Sequence, residues 1–132
     1  MKASDLFVKC LEEEGVTRIF GVPGEENADF MISLKQSKKI EFILCRHEQA
    51  AAFMADAYGR LTGKAGVCLS TLGPGVTNLM TGLADANMDR SPVVALIGQG
   101  STNRLHKESH QIMDSISMVH PCLLYTSPSP RD

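Results

Sequence analysis

GVCLSTLGPGVTN, Gly66 to Asn78, passes from an apolar and β-branched run into a Gly-Pro-Gly turn and then into a helical pattern. A run apolar on both faces reads as a strand with cover above and below, and the glycines and proline read as a tight strand-to-helix turn. The helix that follows carries Val76, Leu79, Met80 and Leu83 at helical spacing. Three more stretches, RIFGV, IEFILC and PVVALIG, repeat the strand signal. The strand ends fall near Val22, Cys45, Thr71 and Gly98, a spacing of about 25 residues that suits βα units.

The intervening segments read as helices. The first places Leu6, Phe7, Cys10 and Leu11 on one face, with Ser4 as N-cap and Gly15 just past the end. The second begins at Glu25 and Glu26 and ends at Lys35, Lys38 and Lys39, matching the helix dipole. The third repeats small or apolar residues at Ala50, Ala51, Met54, Ala57, Tyr58 and Leu61. Strands alternating with helices predict an α/β fold, a parallel sheet covered by helices on both faces. Ligands gather beyond the carboxyl ends of such strands, which makes GVPGEEN, RHEQ, TLGPGVTN and GQGS the functional search area.

A chain of 132 residues is enough for one core. A formal charge of −2 without a basic run argues against nucleic acid or an anionic membrane as partner. Cys10, Cys45, Cys68 and Cys122 show no metal-ligand or disulfide spacing. With no apolar leader and no run long enough to span a bilayer, the expectation is a cytoplasmic protein.

Among the loops, GPGVTN nearly matches a dinucleotide fingerprint, but no acidic residue follows at the end of the next strand to hold a ribose. A phosphate cradle at the helix start and a purely structural turn both fit it. His47 reads as a capping or loop residue, and His106 with His110 lacks the further ligands of a metal site. Glu48 stands where a strand hands over to a helix. It reads as a first-turn carboxylate favoured by the dipole, or as a carboxyl beside the small Ala50 and Ala51 in a crevice that admits a close neighbour. Desolvation disfavours the charged form of a carboxyl, so the second reading suits proton transfer.

Taken together, GVPGEEN, RHEQAAAFMADAYGRLTG, GVCLSTLGPGVTN, GLADANMDRSPVVALIGQ and HKESHQ resemble the amino-terminal pyrimidine-binding domain of thiamine diphosphate enzymes, most closely acetolactate synthase large subunits. The resemblance covers about residues 1–121. It implies that Glu48 hydrogen-bonds N1′ of the cofactor's aminopyrimidine and promotes the tautomer whose 4′ nitrogen takes the thiazolium C2 proton. It also implies that Pro23, Gly24, Thr71, Pro74 and Asn78 line the pyrimidine end, and that Gln111 reaches the reaction chamber.

The substrate so implied is a 2-oxo acid, pyruvate, in a homodimer or homotetramer. His110 and Ile112 flank Gln111 where biosynthetic members usually carry an aromatic and an acid. The resemblance thus leaves open a biosynthetic or catabolic role, another 2-oxo acid decarboxylase or carboligase, and the use of FAD. A non-catalytic nucleotide-binding module is the alternative from a different class. Family members hold Mg²⁺ through a later GDG…N segment, which this sequence lacks, so the expectation is a fragment of a catalytic subunit. Residues 122–132, CLLYTSPSPRD, break the periodic pattern, resemble a translated sequencing-adapter remnant, and read as a disordered, non-native tail.

Overall fold

Four parallel strands form one sheet in the order β2-β1-β3-β4 in the computed structural model, which describes residues 1–105 and 107–123. The strands are β1 (Arg18–Gly21), β2 (Glu41–Leu44), β3 (Gly66–Ser70) and β4 (Val93–Ile97). Each is preceded by a helix: α1 (Ala3–Glu13), α2 (Ala28–Gln36), α3 (Glu48–Thr62) and α4 (Pro74–Met88). A short α5 (Ser115–Val119) and a 3₁₀ turn (His120–Cys122) follow. His106 and residues 124–132, most of the expected tail, lie outside the described residues.

Alternation along the strands divides the core into two layers. Ile19 pairs with Val67 across β1 and β3; with Leu69 they pack against Val8, Leu11 and Leu34 from α1 and α2. Cys68 points the other way, toward Ala51, Ala52, Ala55, Leu79 and Leu83 of α3 and α4. Every residue of β3 is buried, which explains its unbroken apolar reading. The expected covering of the sheet on both faces is therefore present.

Two helix faces differ from expectation. In α3 the buried residues are Glu48, Ala51, Ala52, Ala55, Asp56 and Gly59, whereas Ala50, Met54 and Ala57 are exposed and Leu61 is 86% exposed. The helix is rotated because its contacts are made by small residues: a Cβ on Gly66 would collide with the Ala55 carbonyl, and one on Gly82 would lie 2.5 Å from the Ala52 Cβ. Close backbone approach, rather than the size of Met54 or Leu61, chooses the inward face. In α1 the buried residues are Val8 and Leu11, while Leu6, Phe7 and Cys10 are exposed. Its N-cap is Lys2 in place of Ser4; Ser4 Oγ instead accepts from Ser33 Oγ of α2 at 2.8 Å. Asp5 Oδ2 accepts from the Lys2 backbone N–H at 2.9 Å, so the side chain three residues on closes the helix start. Gly15 does follow the helix end, with φ +77°. The GEEN segment starts as a 3₁₀ turn (Glu25–Asn27) before α2 begins, and Lys38 and Lys39 lie beyond its end.

Candidate functional site

The strand order reverses between β1 and β3, since the chain moves to β2 on one side and to β4 on the other. In open parallel sheets ligands bind beyond the strand ends at such a point. Here Gly24, in the loop after β1, meets Thr71, just after β3. A Cβ on Gly24 would stand 2.5 Å from both the Cβ and Oγ1 of Thr71. Thr71 Oγ1 donates to Glu26 Oε2 at 3.1 Å, and Asn27 Oδ1 accepts from the Gly24 backbone N–H at 2.9 Å. Together these bonds hold the PGEEN loop against the end of β3.

Gly73 needs its glycine for a different reason. Its φ of +59° is a conformation that side chains disfavour, and any Cβ there would strike the backbone carbonyl of Gln111. The turn delivers Pro74 to the first position of α4, where a missing N–H costs nothing. One turn further, Asn78 faces the start of α3.

Glu48 is the first residue of α3 and is only 8% exposed. His47 caps the helix, its Nδ1 accepting from the Gln49 backbone N–H at 3.1 Å, as the capping reading expects. The Glu48 carboxylate then lies over α4: Asn78 Nδ2 donates to Oε2 at 2.9 Å. The other oxygen, Oε1, sits beside Gly75, where a Cβ would come within 3.4 Å of it and within 3.0 Å of Thr71 Cγ2. A side chain at position 75 would fill the space between Glu48 and Thr71. Its absence lets the Glu48 carboxylate, the Thr71 methyl and the start of α4 pack directly together.

Of the sequence-predicted residues, Glu48, Asn78, Thr71 and Gly24 come together in a chain of contacts through Gly75. Pro23 and Pro74 are exposed neighbours of that cluster in the chain. Gln111 is brought to the same loops by its backbone carbonyl against Gly73, with its own φ at +56° and its side chain exposed. The alanine block plays a different part from the one expected. Ala51 is fully buried beneath the site and Ala50 is exposed, so the small side chains admit a strand and a helix. Gly75 and Glu26 were not anticipated; Gly75 was legible as the last glycine of Gly-Pro-Gly, placed where backbone must approach a neighbour closely.

Similarity to known proteins bears on this geometry. The family described as "Thiamine pyrophosphate enzyme, N-terminal TPP binding domain" matches residues 1–118. An acetolactate synthase of Bacillus subtilis is 47% identical over 125 residues, covering 95% of this chain and 22% of that protein. A probable acetolactate synthase large subunit of Methanocaldococcus jannaschii is 47% identical over 121 residues, 92% of this chain and 20% of its own length. A catabolic acetolactate synthase of Raoultella terrigena is 48% identical over 122 residues, 92% of this chain and 22% of its own length. The chain thus spans about a fifth of the length of the relatives it matches. The chain belongs to the thiamine pyrophosphate enzyme family, residues 1–118 matching its N-terminal TPP binding domain.

Proposed function

We propose that this chain supplies the pyrimidine-binding half of the active site of an acetolactate synthase-like enzyme that condenses 2-oxo acids, pyruvate first, with decarboxylation. The observation that carries the reading is the Glu48 carboxylate, buried at the switch point and held through one oxygen by Asn78. The names of the similar proteins support the choice of reaction. Bound thiamine diphosphate supplies the carbon nucleophile and the electron sink for decarboxylation.

The chain's own residues bind, orient and control a proton. Asn78 holds Oε2, which leaves Oε1, beside Gly75, as the oxygen that would be available to the cofactor's aminopyrimidine. Gly24, Thr71 and Gly75 pack against one another beside the carboxylate, and they, with Pro23 and Pro74, would meet the cofactor's pyrimidine end. Burial of Glu48 keeps water from competing for that hydrogen bond and leaves one group to hold and return the proton. Gln111, anchored against Gly73, faces the substrate side. Mg²⁺ belongs with the cofactor's diphosphate, held by a part of the protein outside these residues, in a homodimeric or homotetrameric assembly. Four free cysteines fit a reducing compartment, the cytoplasm.

The test is Glu48→Gln in the full-length protein. Glutamine keeps the size and the bond to Asn78 but exchanges no proton, so the rate of cofactor C2–H exchange should fall by about 10²–10⁴-fold, the usual worth of general acid–base catalysis. Normal exchange in a folded variant would remove Glu48 from the reaction and the reading with it.

A further inference from the structure

α3 and α4 both run back from the carboxyl ends of parallel strands, so they lie side by side in the same direction. Their contacts climb in step. Glu48 meets Asn78 near the start, Ala52 meets Gly82 in the middle, and Arg60 meets Asp85 and Asp89 at the far end. On α3 the partners Glu48, Ala52, Asp56 and Arg60 recur every fourth residue, which stacks them on one face of the helix.

We propose that Arg60 is a positioning residue for Glu48: by bridging carboxylates on both helices, it sets the axial register of α3 on α4 and so places the Glu48 carboxyl against Asn78. This inference rests on the proton-relay reading of Glu48.

The far end is built for that task. Asp56 grips the guanidinium twice, accepting from Nε at 2.9 Å and from Nη2 at 2.7 Å. Asp56 is itself buried, and its backbone carbonyl accepts from Ser91 Oγ at 2.9 Å, which ties it to the turn after α4. Arg60 Nη2 also donates to Asp85 Oδ2 at 2.7 Å, and Nη1 pairs with Asp89. A planar fork can hold three carboxylates at once where a lysine ammonium cannot keep the same geometry.

The middle of the contact is apolar and closely packed. It is made by Ala51, Ala52 and Ala55 against Gly82, Leu79 and Leu83, and at the closest point Gly82 lies against Ala52 and the Phe53 backbone. Polar contacts between the two helices stand at either end of it, Asn78 with Glu48 at one and Arg60 with Asp85 and Asp89 at the other. Arg60 lies twelve residues from Glu48, about 18 Å along a helix stiff enough to carry a shift from one end to the other. A displacement of about 1 Å along the line of the bond would take the 2.9 Å contact from Asn78 beyond hydrogen-bonding range.

The experiment compares Arg60→Gln, Arg60→Lys and Leu34→Ala in the full-length protein. Leu34 lies in the core on the opposite face of the sheet, so its truncation lowers stability without touching α3 or α4. Crystal structures of the cofactor-free variants report the distance from Asn78 Nδ2 to Glu48 Oε2. NMR measures C2–H exchange of bound thiamine diphosphate at a temperature where every variant is folded.

The expected result is a distance beyond 3.5 Å and exchange slowed about 10–10²-fold in Arg60→Gln, the effect of misplacing a reacting group by about 1 Å. Arg60→Lys, which keeps the charge, should fall between this variant and the parent. Leu34→Ala should melt earlier with distance and exchange unchanged. The inference is overturned if both Arg60 variants keep the parental distance and exchange rate. If Arg60→Gln does not fold, Arg60→Lys alone decides by the same two measurements. Glu48→Gln is run beside them: normal exchange there refutes the relay reading, while the distance in the Arg60 variants still judges the register.

Discussion

Gly82→Ala puts the close contact between α3 and α4 under direct strain. The added methyl would lie 2.5 Å from the Ala52 Cβ, 3.0 Å from the Phe53 backbone nitrogen and 3.1 Å from the Ala52 carbonyl carbon. Carbon atoms pack best at about 3.5–4.0 Å, so the helices must part by about 1 Å. Two of the three obstructing atoms are backbone and cannot rotate aside. Overpacking costs about 1–3 kcal/mol, and this site belongs at the upper end. Alanine recovers about 1 kcal/mol of helix propensity, leaving a net loss of about 1–2 kcal/mol.

Ala52→Gly alone should cost a similar amount, about 1 kcal/mol of propensity and about 0.8 kcal/mol for the lost methyl. Combined, the two changes move one methyl from α3 to α4 and remove the shortest of the three contacts. The double variant should therefore be more stable than the sum of the single effects by about 1 kcal/mol or more. Urea unfolding of the parent and three variants, with slopes compared to verify equal exposure on unfolding, measures that coupling. Additivity within about 0.3–0.5 kcal/mol would refute the claim that a single Cβ contact sets the helix spacing.

Two further outcomes follow from ionisable groups. Hydrogen bonds from Arg60 hold the Asp56 carboxyl below the usual carboxylate range, against the opposing effect of its burial. Because the folded value is depressed, this stabilisation is complete above the unfolded carboxylate value of about 3.9 and is lost as pH falls through the folded one. Asp56→Asn should thus flatten the decline in stability below about pH 4, and an unchanged acid limb would argue against the pairing. Burial pushes the Cys68 thiol up to about 12 and raises that of Cys45 as well, whereas Cys10 is exposed. Since the thiolate is the reactive form, an aromatic disulfide reagent at pH 8 should label Cys10 rapidly and reach Cys45 and Cys68 only on unfolding, with mass spectrometry assigning the sites.

Much of this molecule was legible in its sequence. The four apolar runs are the four strands; β3, buried at every residue, is apolar up to its last, and such runs are hard to mistake when Gly and Pro punctuate them. The helix starts at His47 and Pro74 were equally plain, since capping and turn geometry are local. The quoted motifs pointed to the family for the same reason: each loop that carries them leaves a strand end.

What lies between α3 and α4 was decided only by the tertiary structure. The inward face of α3 was misread because alanine and glycine contribute almost no contrast to a hydrophobic pattern, while Met54 and Leu61 contribute a great deal and point outward. Sequence placed Glu48 and Asn78 in the same site but could not pair them, nor connect Arg60 to Asp85 and Asp89. Those contacts span 25 to 30 residues and depend on how closely two backbones approach, a distance set by the missing side chain of Gly82 and by the sheet beneath. Local propensity carries no information about that distance; packing does.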